Sequence, residues 1–155
     1  MKILRSYFFC VIGIILASCE KEEPYVYECH DGTVQFELFN EEMNPGARLV
    51  NTGNTDLQAQ VIQDEHELYT KLEIAYLKKK IDFKNRSLIV VSIKTNTLAY
   101  VMSQNVTANC SSNKLTINAL MRYGSQPVGG VSYVFAIVPK IPIDMAINFI
   151  PEYIY

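Results

Sequence analysis

The sequence predicts an α+β fold in which an antiparallel sheet of about six strands carries one packed helix, residues 64–80. Two observations support this prediction. Several segments alternate apolar and polar residues with the period of a half-buried strand, and short polar turns join them. Beyond the first 18 residues, only one stretch combines helical periodicity with a capping signal. The alternative architecture is a β-sandwich whose helix bridges two sheets.

The strands follow from the spacing of their apolar residues. Segment 87–94 is apolar on both faces, which predicts a central strand covered on two sides. In segment 98–108, the side chains of Tyr100, Met102 and Val106 are expected to share one face. Asn113 and the serines before it predict a hairpin turn. The remaining strands are expected at 33–39, 57–63, 114–121, 131–138 and 145–150, the last of them stopped by Pro151.

The predicted helix begins with Asp64 as its N-cap. Glu67, three places later, fits a capping box, in which each side chain satisfies a backbone N–H group of the first turn. Acidic residues lie at the start of the segment and lysines 78–80 at its end, and both groups oppose the helix macrodipole. One apolar stripe is expected to face the sheet, formed by Leu68, Leu72, Ala75 and Tyr76.

The N-terminus has the pattern of a secretory signal. Two basic residues precede an apolar run from Tyr7 to Leu16, and small residues follow it. The run is shorter than the roughly 20 residues that a spanning helix needs. The segment Leu16-Ala17-Ser18-Cys19 resembles the lipobox of bacterial lipoproteins. That resemblance implies a signal peptide, residues 1–18, and a diacylglyceryl group on the Cys19 thiol that anchors the protein in a membrane.

The residues that follow Cys19 predict where the protein is displayed. Lys21-Glu22-Glu23 resembles the surface-export signal of Bacteroidota lipoproteins. It implies an outer-membrane protein displayed on the cell surface; the alternative is an anchor that faces the periplasm. We expect an acidic tether at 19–28 and a single globular domain at 29–155.

The cysteines predict one disulfide. Cys10 is removed with the signal peptide and Cys19 carries lipid, so Cys29 and Cys110 remain. Two thiols in an oxidising envelope compartment most simply pair with each other.

Charge is distributed unevenly along the chain. The net charge is −2, yet residues 20–76 hold 13 acidic and 3 basic residues, hence −10, and residues 77–155 hold 3 acidic and 9 basic residues, hence +6. We expect the two halves to neutralise each other in the folded domain. The export signal and the acidic total argue against nucleic-acid binding.

The sequence offers few groups for catalysis. The histidines are His30 and His66, and we find no HExxH, paired CxxC, Gly-x-Ser-x-Gly or glycine-rich nucleotide motif. Loop 51–56 alternates oxygen ligands but lacks the bidentate glutamate of a calcium loop. We therefore predict no catalytic residue, cofactor or metal, and a non-catalytic binding module whose partner is an unidentified protein or glycan.

Tyrosines are the candidate contact residues, because a tyrosine offers rigid area together with a hydroxyl group. The alternative is that they cover the edges of their own domain. Those in the tether, a loop or the C-terminal tail are Tyr25, Tyr27, Tyr123, Tyr153 and Tyr155.

One further resemblance spans residues 61–140. A helix followed by segment 81–91, with its Asp82-Phe83 pair and apolar strand, resembles the PrcB-like family of protease complex subunits. The later loop 124–130 and strand 131–140 lie where that family has a Pro-Gly loop and a final strand. The resemblance implies a protease-associated subunit or an inhibitor-like module. The family's Thr-Gly-Gly-Tyr loop is missing from this sequence, so no functional residue is transferred.

Overall fold

The computed structural model describes residues 27–39, 46–52, 55–74, 77, 79–125 and 128–155. Within these ranges the chain is mostly strand with one short helix, and that helix is too short to cross a membrane. The elements are β1 (Gly32–Thr33), β2 (Arg48–Leu49), β3 (Leu57–Ile62), α1 (Glu65–Lys71), β4 (Leu72–Glu73), β5 (Arg86–Thr95), β6 (Ala99–Asn109), β7 (Lys114–Tyr123), β8 (Gly130–Pro139) and β9 (Ala146–Ile154).

The strands form several sheets, so the prediction of one antiparallel sheet is wrong. A four-stranded sheet has the order β1-β6-β7-β9, a three-stranded sheet has the order β3-β5-β8, and β2 pairs with β4. The β7–β9 pair is parallel because the intervening strand β8 belongs to the other sheet. The chain therefore crosses to the second sheet and back, as parallel neighbours require.

The main core lies between the two larger sheets. Alternate residues of β7 supply one wall of it, and Ile89 and Val91 of β5 supply part of the other. Leu88 and Val90, their neighbours on β5, point to the opposite side and are also buried. The prediction that segment 87–94 is a strand covered on both faces is therefore confirmed.

A second core covers the other face of the three-stranded sheet. Leu68 of α1 and the Leu49–Leu72 pair of the small β2–β4 ladder pack there against Leu88 and Ile137. The helix therefore lies on the outer side of the three-stranded sheet. The alternative architecture had a helix that bridges two sheets, and α1 does not bridge the two larger sheets.

The helix is much shorter than the predicted 64–80. It ends at Lys71, because Leu72 is extended (φ −114°, ψ 134°) and begins β4. There Glu73 accepts two hydrogen bonds from the Arg48 guanidinium, at 2.6 and 3.2 Å, and Leu72 is buried against Leu49. Because helix propensity is a weak preference, these long-range contacts override it. Ala75 and Tyr76 lie outside the described residues.

Asp64 is the N-cap of the helix, as predicted, but the Glu67 side chain bonds the residue before the cap where a capping box would bond the cap itself. The Glu67 backbone N–H donates to Asp64 Oδ1 at 2.7 Å, and the Glu67 carboxylate accepts from the backbone N–H of Gln63 at 2.8 Å. Burial alone would raise the pKa of Glu67, but hydrogen bonds from Lys71 and Gln63 outweigh it and lower the pKa. The cap is thus held by charge-assisted hydrogen bonds.

Removing the cap should weaken the fold measurably. We expect Asp64→Ala to lower the free energy of unfolding by about 1 kcal/mol, because a backbone N–H group of the first turn loses its acceptor. Urea unfolding followed by circular dichroism measures this difference. The matched control is His66→Ala, an exposed helix position that should change stability by less than about 0.5 kcal/mol. Equal effects of the two substitutions would contradict a capping role for Asp64.

Strand β6 contains a β-bulge, and its side chains therefore face differently from the prediction. Val101 pairs with Met121 and Ser103 pairs with Leu120, so Met102 is the extra residue. Because a bulge reverses the alternation of faces, Tyr100 and Met102 are exposed while Val106 is buried. The prediction that these three side chains share a face is wrong.

Strand β9 continues through Pro151, which was predicted to stop it. Proline is tolerated there because β9 lies at the edge of its sheet and uses one side of its backbone for pairing.

The segment after β1 connects the two larger sheets. Its Val34 backbone N–H donates to the Val106 carbonyl of β6, and Glu37 exchanges two backbone hydrogen bonds with Ile137 of β8. Gln104 of β6 also donates from Nε2 to the Phe135 carbonyl of β8 at 2.8 Å. These bonds join the open edge of β8 to the four-stranded sheet.

The predicted disulfide is present. Cys29 and Cys110 are bonded, with their Cα atoms 5.7 Å apart, and the bond ties the start of the domain to the β6–β7 turn. Tyr27, which we assigned to the tether, packs against the main core and donates its hydroxyl to Met145 Sδ at 3.8 Å. The packed part of the domain therefore includes Tyr27. Cys19 and Lys21-Glu22-Glu23 lie outside the described residues.

Candidate functional site

The β6–β7 hairpin gives the molecule two distinct ends. At one end lies the turn 110–113 with the Cys29–Cys110 disulfide, which we call the disulfide end. At the other end Ala99 pairs with Tyr123, and we call this the tyrosine end. The hairpin strands are about ten residues long, so at about 3.3 Å per residue the ends are about 30 Å apart.

Three tyrosines meet at the tyrosine end. Tyr123 and Tyr153 stack with ring centroids 4.9 Å apart and planes within 6°, and the Tyr155 ring lies 5.3 Å from Tyr123 at a tilt of 40°. They meet because Met121 pairs with Tyr153 in the parallel β7–β9 ladder. The tyrosines thus extend the inward-facing rows of both strands beyond the buried core.

The Tyr123–Tyr153 stack is a rigid part of the site. Both rings are partly buried and pack against the main core. Burial raises the pKa of Tyr153, with a smaller contribution from neighbouring Tyr123. A ring held in this way loses little conformational entropy when a ligand contacts it.

Two side chains on the outer face of the sheet continue the site. Tyr100 and Arg122 are a cross-strand pair on β6 and β7, and the Tyr100 side chain is 55% exposed. Among the described residues, no carboxylate forms an ion pair with the Arg122 guanidinium. This end of the sheet therefore presents an aromatic ring beside an available cation.

A loop between β7 and β8 borders the same region. Leu98 holds it at two points: its backbone N–H donates to the Val128 carbonyl at 3.0 Å, and its carbonyl accepts from Gly124 N–H at 2.8 Å. A Cβ atom on Gly124 would lie 3.2 Å from both the Tyr100 ring and the Leu98 carbonyl. Glycine at position 124 therefore lets Tyr100 pack closely onto the loop. Residues 126 and 127 lie outside the described part of the chain.

Together these groups line an open cleft of about 920 Å³. Its described lining contains one cationic side chain and no Asp or Glu side chain. Rigid aromatic faces, one guanidinium and exposed backbone of the loop are binding groups; none of them is a strong base or nucleophile at neutral pH. The lining residues are Leu98, Tyr100, Arg122, Tyr123, Gly124, Ser125, Val128, Gly129 and Tyr155.

The predicted candidates are only partly brought together. Tyr123, Tyr153 and Tyr155 meet at the tyrosine end, whereas Tyr27 lies at the disulfide end and Tyr25 is outside the described residues. Tyr100 and Arg122 were not among the predicted contact residues. A signal existed for Arg122, since it lies just before the glycine loop, but the undetected bulge placed Tyr100 on the same face as Val106.

The two histidines occupy separate exposed positions. The His30 side chain is 84% exposed, with Nε2 3.9 Å from a Glu28 carboxylate oxygen, and His66 is exposed in the first turn of α1. His30 borders a second cavity, of about 430 Å³, at the disulfide end, together with Tyr27, Val34 and Ile141.

The loop 51–56 is described in part, since residues 53 and 54 lie outside the described ranges. The backbone carbonyl of Asp56 accepts a hydrogen bond from Lys94 N–H at 2.8 Å, which fastens the loop to the end of β5. In the parts of the chain that the structure describes, no three His, Cys, Asp or Glu side chains are grouped as metal ligands.

Comparison of the chain with protein-family models, with curated proteins and with solved structures finds no match in any of the three.

Proposed function

We propose that the protein is a non-catalytic binding module of the bacterial envelope, anchored in the outer membrane by a lipid on Cys19 and displayed on the cell surface. It captures its ligand in the cleft at the tyrosine end. The anchor rests on the lipobox resemblance of Leu16–Cys19 and the surface location on Lys21-Glu22-Glu23.

The observation that carries the binding proposal is the tyrosine arrangement. Tyr123 is held in a stack with Tyr153, while Tyr100 is exposed beside Arg122, which forms no ion pair with a carboxylate in the described part of the chain. Rigid tyrosines with an adjacent arginine are the side chains that dominate recognition surfaces, because they bury a large area at a low entropic cost. Such a cluster at the mouth of a cleft is the usual arrangement of a binding site.

The position of the cleft suits an anchored module. The chain enters the domain at the disulfide end, where Cys29 is bonded to Cys110. A lipid on Cys19 would hold that end towards the membrane. The tyrosine end, about 30 Å away along the hairpin, would then face outward, where a ligand can reach it.

The described lining of the tyrosine cleft supports the non-catalytic part of the proposal, because it contains no histidine, Asp or Glu side chain. A hydrolytic site built on the available histidines would need His30 or His66 to converge with other polar groups in a pocket. His66 is exposed on the helix, and His30 lies at the disulfide end, away from the tyrosine cleft.

The second candidate function, a protease-associated subunit or inhibitor-like module, would use the same end of the molecule. The resemblance to PrcB-like subunits includes loop 124–130, and Gly124 and Gly129 border the tyrosine cleft. A protease found as the partner at this end would favour this second function over a general binding role.

Crosslinking from a single introduced cysteine on intact native cells tests the proposal. Because Cys19 carries lipid in this proposal and Cys29 is bonded to Cys110, Ser125→Cys would supply the only reactive thiol of the mature protein. A membrane-impermeant maleimide crosslinker attached there should yield a reproducible high-mass adduct. The matched control is Tyr69→Cys on α1, whose native side chain is 52% exposed and which should yield none.

Two further variants separate the parts of the proposal. Adding Tyr100→Ala to Ser125→Cys should remove the adduct, because the exposed ring is lost. Cys19→Ala should release the protein from the membrane fraction. Equal adducts from positions 125 and 69 would contradict the site, and labelling only after the outer membrane is permeabilised would contradict surface display.

A further inference from the structure

The charge of the tyrosine cleft indicates the charge of its ligand. Arg122 is exposed, and the described lining contains no Asp or Glu side chain. Glu152 is exposed on the neighbouring strand β9, opposite Leu120, and no ion pair joins it to Arg122. A guanidinium binds carboxylate or sulfate oxygens through two parallel N–H groups, which gives both strength and direction. An anion that enters this cleft therefore meets a complementary donor among the described lining side chains.

The aromatic side chains indicate the shape of the ligand. Tyr100 is exposed next to Arg122, and Tyr155 lies exposed on the Tyr123 side of the cleft. Aromatic faces carry partial negative charge and attract the weakly positive C–H groups of a flat ring. The pyranose ring of a sugar offers such C–H groups on one face and hydroxyl groups around its rim.

A peptide strand cannot pair with β7, the central strand of this site. Extended peptides are often bound by adding a strand to a sheet edge, which requires free backbone groups. At the tyrosine end, β7 is paired on both sides, with Ala99 opposite Tyr123 and Ile154 opposite Arg122. The site therefore offers side-chain faces and a guanidinium, while the backbone of its central strand is already used.

We propose that the tyrosine cleft binds an acidic polysaccharide, with Arg122 paired to a carboxylate or sulfate group and Tyr100 stacked on a sugar ring. This inference rests on the proposed binding function and adds the class of ligand. It assigns Arg122 to selection of acidic over neutral glycans, and Tyr100 to affinity for the ring itself.

Affinity electrophoresis of the purified full chain tests the ligand class. The probes are polygalacturonate and chondroitin sulfate as acidic glycans, dextran as a neutral glycan, and polyglutamate as an anion without sugar rings. We expect retardation by one or both acidic glycans, and little by dextran or polyglutamate. Carboxylate and sulfate as the recognised group are distinguished by which acidic glycan binds more tightly.

Two substitutions on β7 show whether Arg122 recognises the negative charge of the ligand. Arg122→Gln should weaken binding about tenfold or more, the loss expected for one charge-assisted contact. Lys114→Gln is the matched control, because Lys114 is exposed on the same face of β7 at the disulfide end and the net charge changes equally. It should weaken binding by less than about twofold. Tyr100→Ala should weaken binding to the same glycan, and Tyr69→Ala should not.

Three results would overturn this proposal. Polyglutamate bound as tightly as the acidic glycans would identify an acidic peptide as the ligand. If dextran retarded the protein as much as the acidic glycans did, and Arg122→Gln had no effect, the ligand would not need an acidic group. Absence of binding to every glycan would reject the ligand class, while the adduct from position 125 on cells reports separately whether the tyrosine end binds anything.

Discussion

Replacing both Cys29 and Cys110 by serine should lower the free energy of unfolding by about 4 kcal/mol, because the disulfide closes a long loop and restricts the unfolded chain. The two cysteines are 81 residues apart, so the restriction covers more than half of the sequence. This would be a large share of the roughly 5–15 kcal/mol that stabilises a typical domain. The double substitution avoids leaving one reactive thiol.

Urea unfolding followed by circular dichroism measures the loss, with the wild type in reducing and in non-reducing buffer as matched controls. The reduced wild type should unfold near the midpoint of the double variant. The slope with urea should increase, since an uncrosslinked unfolded chain exposes more surface. A loss below about 1 kcal/mol would contradict this account and mean that the unfolded chain retains structure that already restricts it without the disulfide.

The position of the disulfide predicts which property should survive its removal. The bond lies at the disulfide end, and the tyrosine cleft is built from β6, β7, β9 and the loop after β7. Binding at the tyrosine end should therefore persist in the double variant at temperatures well below its unfolding midpoint.

Much of the strand pattern could be predicted from the sequence. Segment 114–121 alternates because one face of β7 is buried, and segment 87–94 is apolar throughout because β5 is covered on both faces. The number of sheets could not be predicted. Alternation shows that a strand has a buried face, but the same pattern fits one sheet under a helix or two sheets facing each other.

The errors occurred where distant contacts decide local structure. The helix prediction extended to residue 80 because the lysines near its end fit a helix C-terminus. Pairing of Leu72 with Leu49 and of Glu73 with Arg48 instead turns the chain into a strand at residue 72. The bulge at Met102 likewise depends on the partner strand, so that a strict period of two gave the wrong face for Tyr100.

Part of the candidate site could be predicted from the sequence. Tyr123, Tyr153 and Tyr155 attracted attention because no predicted strand accounted for them. Their meeting depends on the parallel β7–β9 pair, which places Tyr153 opposite Met121 although the two lie far apart in the sequence. Arg122 could be selected only when its neighbours were known, since an arginine in a strand is ordinary. Here it lies beside an exposed tyrosine and pairs with no carboxylate among the described residues.

Strand β5 allows the two cores to be tested separately by substitutions at adjacent positions. Ile89 faces the four-stranded sheet and Leu88 faces the helix, and both are fully buried. Each change to alanine removes buried methyl groups and leaves a cavity, so each should lower the free energy of unfolding by about 2–5 kcal/mol. Urea unfolding measures both losses in the same strand, with Tyr69→Ala as an exposed control.

Amide hydrogen exchange then shows how the two cores are coupled. Leu88→Ala should speed exchange in α1 more than in β7, because the helix layer is short and packs on the outer face of the three-stranded sheet. Ile89→Ala should speed exchange in β7 and α1 together, since the three-stranded sheet carries both layers. Equal loss of protection in α1 and β7 of the Leu88→Ala variant would show that the helix layer cannot open by itself and that the two cores unfold as one unit.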